Sequence, residues 1–257
     1  MTNVFKKQLI LLLKKIEVGS AFAVRLTQLT KKSKLPIHPK HFLTQKPWFI
    51  KYLTSKDLVI DIGSGNGQNA IKAARVAKKV IGLEINESLI KIAKQSAKNN
   101  RVKNIFFKKT DLEKDINIKN RFDKVLFLDV LEHLEKRDKI LVEIKKLLKS
   151  NGHLFLGVPN SQTSWKRSQR SVGINSYSDP DHKIEYSEPQ IKNFLKKHDF
   201  KIIHFGYAPA DTPFRGFYDI IGGISISLYK KIHNWRYQKA QRHHQESSGF
   251  EIVAQKK

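Results

Sequence analysis

Three glycines at alternate positions, Gly63, Gly65 and Gly67, stand directly after the apolar run Leu58-Val59-Ile60-Asp61-Ile62 and directly before a helical pattern. Glycine there lets the chain turn tightly and lets a ligand approach the backbone with no Cβ in the way. The helix that follows begins near Gln68, so its free amide groups point at the turn. A strand, a glycine turn and a helix open a βαβ unit, and the pattern continues. Further apolar runs at 80–85, 105–107, 124–128, 153–158, 202–205 and 250–254 alternate with helical stripes. That alternation predicts an α/β fold of seven strands with a mostly parallel sheet.

The stripe Ile140, Leu141, Ile144, Leu147 and Leu148 has helical spacing, and Asn151-Gly152 is expected to end that helix. Ser187-Glu188-Pro189-Gln190 reads as a capping box opening a helix that turns Ile191, Phe194 and Leu195 inward. Residues 1–55 read as a basic helical N-terminal extension, broken by Pro36, Pro39 and Pro47. The main domain is expected over 56–257, with insertions at 160–186 and 207–248 serving as substrate loop and lid. In the second insertion Phe217, Ile220, Ile221, Ile224 and Leu228 share one helical face. Beyond it, Lys230, Lys231, Arg236, Lys239 and Arg242 are interleaved with Tyr229, Trp235 and Tyr237. Such a segment suits either an anionic membrane surface or a lid packed over the site. Gly222-Gly223 in its middle favours the lid.

Composition narrows the function. With no cysteine among 257 residues, disulfides, thiolate zinc sites, iron–sulfur clusters and cysteine nucleophiles are excluded. No apolar run approaches the roughly 20 residues that span a bilayer. The run Leu9–Leu13 is boxed in by Lys6, Lys7, Lys14 and Lys15, which is no secretory signal, so a cytoplasmic protein is expected. The formal charge of +26 points to contact with an anionic membrane or nucleic acid through a basic surface. The excess is chiefly lysine and is scattered over every element, so a general lysine bias gives the same total with no partner. Bidentate phosphate contacts would favour arginine.

A dinucleotide fingerprint is G-x-G-x-x-G, whereas this chain has G-x-G-x-G preceded by Asp61, with Gln68 where the third glycine of that fingerprint would stand. The pattern resembles the first motif of the S-adenosylmethionine-dependent methyltransferases with a Rossmann-like fold. The resemblance extends from the first strand to Lys257 through four motifs in order. It implies a doubly wound sheet with helices on both faces and an antiparallel last strand, and S-adenosyl-L-methionine as cofactor. It also implies that Asp61, Gly63, Ser64, Gly65 and Gly67 form the turn under the methionine and ribose. Glu84, at the end of the second strand beside Ile85, would grip both ribose hydroxyls, because each carboxylate oxygen accepts one proton. Thr110-Asp111-Leu112 matches the position near the adenine, and Asp129 closes the fourth motif. Asp111 equally suits a cap on the short helix after it.

Methyl transfer from a sulfonium needs mainly alignment, plus removal of a proton where the acceptor is a hydroxyl. His133 and His182 are the candidate catalytic residues. Asp129-Val130-Leu131-Glu132-His133 resembles the acid-x-x-Glu-His segment of the quinone-precursor O-methyltransferases, in which acids and histidine can hold a divalent ion. Three such groups alone do not specify a metal, and none is expected here. His133 also reads as a helix-start residue closing over the cofactor, and His182 as a residue orienting its loop. The leading reading is a methyltransferase acting on a small-molecule or lipid-linked acceptor, at a hydroxyl oxygen. An RNA or protein methyltransferase and a non-catalytic cofactor-binding relative are the alternatives. The segment Leu128-Asp129-Val130-Leu131 lacks an amino-methylation motif, which counts against base amines as acceptors.

Overall fold

The computed structural model describes residues 3–17, 19–43, 47–114 and 116–256. The outer ends of the two expected domain ranges, residues 1 and 257, lie outside the described residues. In chain order the elements are α1 (Asn3–Glu17), α2 (Gly19–Leu29), β1 (Leu58–Ile62), α3 (Gln68–Ala74), β2 (Lys79–Glu84), α4 (Glu87–Asn99), β3 (Ile105–Lys109), β4 (Phe122–Leu128), α5 (Arg137–Leu147), β5 (Leu148–Pro159), α6 (Ser164–Arg170), α7 (Glu188–Lys197), β6 (Phe200–Tyr207), α8 (Arg215–Ile224), α9 (Ile226–Arg242) and β7 (Gly249–Lys256). Short 3₁₀ turns link some of them.

All seven expected strands are present, in the order β3-β2-β1-β4-β5-β7-β6. β1 pairs in parallel with both β2 and β4, β2 with β3, and β4 with β5. Just past the ends of β6 and β7, Ala210 and Ser247 form an antiparallel bridge. Strand order therefore reverses beside β1, and open α/β sheets bind ligands beyond the carboxyl ends of strands at such a point.

The chain divides into two compact units. A sheet unit comprises Lys46–Pro159, Asp181–Gly206 and Phe250–Lys257, and a helical unit comprises Met1–Gln45, Asn160–Pro180 and Tyr207–Gly249. In the sheet unit Val59, Leu126, Phe155 and Val253 share a core with Phe49, Ile50 and the α3 alanines 70, 73 and 74. The Phe155 ring lies 5.9 Å from Trp48 and 5.8 Å from Tyr52. Residues 48–52, within the expected extension, thus pack with the sheet. The Ser187–Gln190 capping box forms with both reciprocal bonds, opening α7.

One local expectation fails. Asn151-Gly152 does not end a helix: α5 stops at Leu147, and Leu148 already pairs with Phe122 in the sheet. Asn151 instead takes a left-handed φ of 61° within β5, where the register slips between Phe122 and Lys124. Helical spacing cannot separate Leu147 from Leu148, because both are buried, one against each kind of neighbour.

In the helical unit the buried residues of α8 are Gly216, Asp219, Gly222 and Gly223, whereas Phe217 and Ile224 on α8, and Leu228 on α9, are exposed. The apolar stripe seen in the sequence is therefore split: Phe217, Ile224 and Leu228 face outward, while Ile220 and Ile221 are half-buried, Ile220 beside Gly19 of α2. A Cβ on Gly216 would lie 2.0 Å from the Ile16 carbonyl, and one on Gly223 2.6 Å from the Leu26 Cβ. Backbones this close leave room for nothing larger than glycine. Asp219 sits among them, accepting from Ser20 Oγ (2.5 Å) and Tyr229 OH (2.8 Å) and facing His38 Nε2 at 3.3 Å. Burial pushes its carboxyl up, yet the bonds from His38, Ser20 and Tyr229 outweigh this and hold it below the usual range.

Candidate active site

The turn after β1 is fixed by its own backbone. Gly63 N and Ser64 N both donate to the Leu83 carbonyl of β2, at 2.9 and 2.8 Å, and Gly67 N donates to Ser64 O at 2.9 Å. All three glycines have positive φ, at 73°, 53° and 78°, but their surroundings differ. A Cβ on Gly63 would lie 2.4 Å from Val130, and one on Gly67 2.8 Å from Ala93 and from the Phe107 ring. A Cβ on Gly65 would meet nothing within 4 Å. Gly63 and Gly67 let the turn pack, while Gly65 turns its bare face to open space.

Glu84 is 9% exposed and works from beneath this turn. Its Oε2 accepts from Gly65 N (2.8 Å), and its Oε1 accepts from Ile85 N and Asn86 N (both 2.9 Å). Each carboxylate oxygen keeps lone-pair capacity for a further donor. Asp61, buried at the end of β1, accepts from the Ala70 backbone N–H. Burial, and then the charge of Glu84, push its carboxyl up to about 7. Asp61 Oδ2, Ser64 Oγ and Thr110 Oγ1 are buried with no hydrogen-bond partner. Polar atoms buried without partners are costly, and three at the end of β1 and on the loops beyond β1 and β3 mark a place for a polar ligand.

The remaining expected cofactor residues fall on the same edge of the sheet with varied engagement. Ile85 is exposed and Leu112 is buried. Asp111 spends Oδ1 on the Glu113 N–H (3.0 Å) and lies 3.6 Å from Lys114, so its carboxylate serves its own turn. Asp129 holds a left-handed φ of 57° at the end of β4, while its N–H donates to Gly157 O at 3.0 Å. A non-glycine residue held there is strained, and such strain gathers at functional sites.

His133 and His182, 49 residues apart in sequence, meet. Glu132 and His133 lie in a 3₁₀ turn after β4, and the Glu132 carbonyl accepts from Lys183 N (2.8 Å) and Ile184 N (3.3 Å). This pins the loop before α7 so that the two imidazoles stand edge to face, 4.6 Å between centroids. His182 Nδ1 lies 2.9 Å from Glu185 Oε1, and its Nε2 4.0 Å from Glu132 Oε1. A carboxylate accepts, so Nδ1 is the nitrogen that donates to Glu185, and Nε2 is turned towards Glu132. Glu132, His133 and His182 each offer a ligand atom within 4.8 Å of the others. This cluster has His182 where the resemblance suggested Asp129.

The sequence reading did not single out Glu185 or Glu251. Glu185 had a signal, standing three residues after His182. Glu251 had none: it is the third residue of β7, and burial, then the charge of Asp129, push its carboxyl up to about 7.

A model of the methyltransferase domain matches residues 53–206 of the chain. The ubiquinone biosynthesis O-methyltransferase of Pelagibacter ubique is 33% identical over 102 residues, covering 40% of this chain and 42% of that protein. The enzyme of the same name from Bartonella tribocorum is 27% identical over 152 residues, covering 56% and 60%. The match thus spans about half the length of these curated relatives. Among solved structures, magnesium protoporphyrin IX methyltransferase from Synechocystis, with bound SAH, superposes with a TM-score of 0.56 at 19% identity, covering 82% of this chain and 79% of that one.

Proposed function

Because this chain belongs to the methyltransferase-domain family, we propose that it moves the methyl group of S-adenosylmethionine to a hydroxyl oxygen of a small-molecule or lipid-linked acceptor. The observation that carries this reading is the bare face of Gly65, opening onto free space above a buried carboxylate whose Oε2 holds its N–H. The unsatisfied Asp61, Ser64 and Thr110 oxygens fit a polar, hydroxyl-bearing and cationic ligand. The shared name of the curated relatives supports an oxygen acceptor.

When bound, the cofactor supplies a methyl on a sulfonium: the oxygen–methyl bond forms as the sulfur–methyl bond breaks, and sulfur leaves as a neutral thioether. The chain's residues do the rest. The 63–67 turn and Glu84 hold and orient the cofactor. His182, with Nδ1 fixed by Glu185, takes the acceptor's hydroxyl proton on Nε2. His133, edge-on to that ring, limits its rotation. One carboxylate and two imidazoles also fit a divalent ion, which Glu132, His133 and His182 would hold and which would polarise the acceptor hydroxyl; His182 Nε2 would then be a ligand, so the ion would replace proton transfer to that nitrogen rather than add to it.

The expected substrate loop and lid begin where β5 and β6 end, and the helical unit supports peripheral contact with an anionic membrane. Its exposed Phe5, Leu9, Leu12, Phe217 and Ile224 accompany the exposed cations Lys7, Lys15, Lys231 and Arg242. Among the described residues no helix is long and apolar enough to cross a bilayer.

Calorimetric titration with S-adenosylmethionine and S-adenosylhomocysteine tests the cofactor site; heat from neither would sink it. His182→Ala should retain that binding and lose methyl transfer to a catechol-like acceptor. Full turnover in the variant would remove His182 from proton transfer.

A further inference from the structure

Away from the candidate site, the sheet unit carries an open cleft of about 570 Å³ between the end of α4 and the outer strand β3. Its recess is apolar: Ala97, Val102, Ile105, Phe106 and Phe107. Its rim is cationic: Lys94, Lys98, Arg101 and Lys103. No acidic residue lines it. The four cations are exposed, and among the described residues none forms an ion pair. Phe106 is 56% exposed at the centre, with the Lys79 ammonium 4.9 Å from its ring.

Lysines along an outer strand are explained by protection against edge-to-edge pairing. That explanation covers Lys108 and Lys109 of β3 but not Lys94, Lys98, Arg101 and Lys103, which come from α4 and the turn after it. It also runs against a large exposed aromatic on the strand itself. Arg101 carries a further sign. Arg101 N donates to Lys98 O and Val102 N to Ala97 O, the paired bonds that end a helix in a left-handed residue. Glycine takes that position with least strain, yet arginine holds it at φ 55°.

We propose that this cleft docks an acidic segment of a partner protein, apolar side chains filling the recess and carboxylates meeting the rim. Complementary charge brings such a segment in, and buried anchors hold it. A polynucleotide fits less well. Single strands bind by stacking bases on exposed rings, but Lys79 lies over Phe106, and Phe107 packs where Cβ atoms of Gly67 and Gly82 would be. β3 adds the unpaired backbone edge of an outer strand, which an extended segment can join.

The test uses the full-length chain and a fluorescein-labelled twelve-residue peptide of glutamates interrupted by three leucines. An all-glutamate peptide and a twelve-nucleotide single-stranded RNA are the comparisons. The leucine-bearing peptide should bind tightest. Its affinity should fall at least roughly ten-fold in Lys94→Gln/Lys98→Gln and in Phe106→Ser. Arg101→Gly separates a lost contact from a damaged fold, since it should weaken the peptide while melting no lower than the parent. S-adenosylmethionine titration of the same variants should be unchanged, which keeps this result independent of the cofactor site. Equal peptide affinity in parent and variants would overturn the proposal. So would tighter RNA binding lost on the same substitutions, because the occupant would then be a nucleic acid.

Discussion

The two units bury and expose opposite kinds of side chain. Of the seventeen large apolar residues left exposed among the described residues, thirteen belong to the helical unit and four, Ile85, Phe106, Val142 and Ile203, to the sheet unit. Inside, the order inverts. The sheet unit is closed by rings and aliphatic chains around Phe155, and its unsatisfied Asp61, Ser64 and Thr110 oxygens lie at the end of β1 and on the loops just beyond β1 and β3. The helical unit has a smaller apolar cluster, Ile10 with Trp165 and Val172, and relies more on buried polar bonds. Asp219 takes Ser20 and Tyr229; Lys166 Nζ donates to Asn160 O at 2.8 Å; Arg236 Nε donates to Ala210 O at 2.9 Å. An apolar core tolerates small losses, whereas a buried polar network fails when one member leaves its partners stranded.

The sharpest way to break this contrast is Asp219→Ala. It strands Ser20, Tyr229 and His38 together and should cost the helical unit roughly 3–5 kcal/mol, read by urea unfolding. A loss below about 1 kcal/mol would mean that glycine packing, not the network, holds the unit. Next come paired substitutions in the turn. Gly63→Ala meets Val130 at 2.4 Å and should destabilise the sheet unit by about 1–3 kcal/mol. Gly65→Arg fills open space, so it should leave the melting of the sheet close to the parent and abolish cofactor binding. If both variants behaved alike, the two glycines would have one role. Glu84→Ala should weaken cofactor binding by roughly 1–3 kcal/mol, because it removes the acceptor beneath Gly65. An unchanged affinity would take Glu84 out of the site.

Smaller, but diagnostic, is the response to pH. The Asp61 carboxyl is raised to about 7, so the folded state binds its proton more tightly than the unfolded chain. Its contribution to stability is present at low pH and lost as pH rises from about 4 towards 7. Asp219 is lowered, so its contribution is present above the ordinary carboxylate range and lost as pH falls below it. Stability followed from pH 3 to pH 8 should therefore show opposite slopes, and Asp61→Asn should reduce only the upper one, leaving the part that the raised Glu251 carboxyl contributes. Finally, Leu12→Ser/Phe217→Ser should reduce flotation of the protein with phosphatidylglycerol vesicles and leave its unfolding nearly unchanged.

Legibility in the sequence followed the same division. Every strand was an apolar run, because neighbours in the sheet unit are set by local periodicity, and Glu84 ends β2 beneath the glycine turn, where the resemblance to the methyltransferases implied an acid. Asp111 could not be assigned from its type, since an aspartate bonding the N–H two residues on looks the same in sequence as one facing a ligand. The meeting of Glu132, His133 and His182 depends on Lys183 and Ile184 donating to one carbonyl, a contact with no sequence pattern. On α8 hydrophobicity misled in part. Close helix packing selects Gly216, Gly222 and Gly223 inward, and Phe217 is left outside.

The helical unit is assembled from three separated stretches, so α2, complete by Leu29, packs on α8, which ends at Ile224. A ribosome adding roughly 5–20 residues per second leaves α1 and α2 without that partner for on the order of ten seconds or more. During that interval Gly19, Ala23 and Leu26, which end up against α8 or buried, are open to water along with Phe5, Leu12 and Phe22, which stay exposed in the finished fold. The sheet can begin pairing β1, β2 and β4 once residue 128 has been made. Birth order therefore leaves the first helices of this chain waiting for α8 long after the sheet has begun to pair, and the sheet in turn waits for β7, which enters last between β5 and β6.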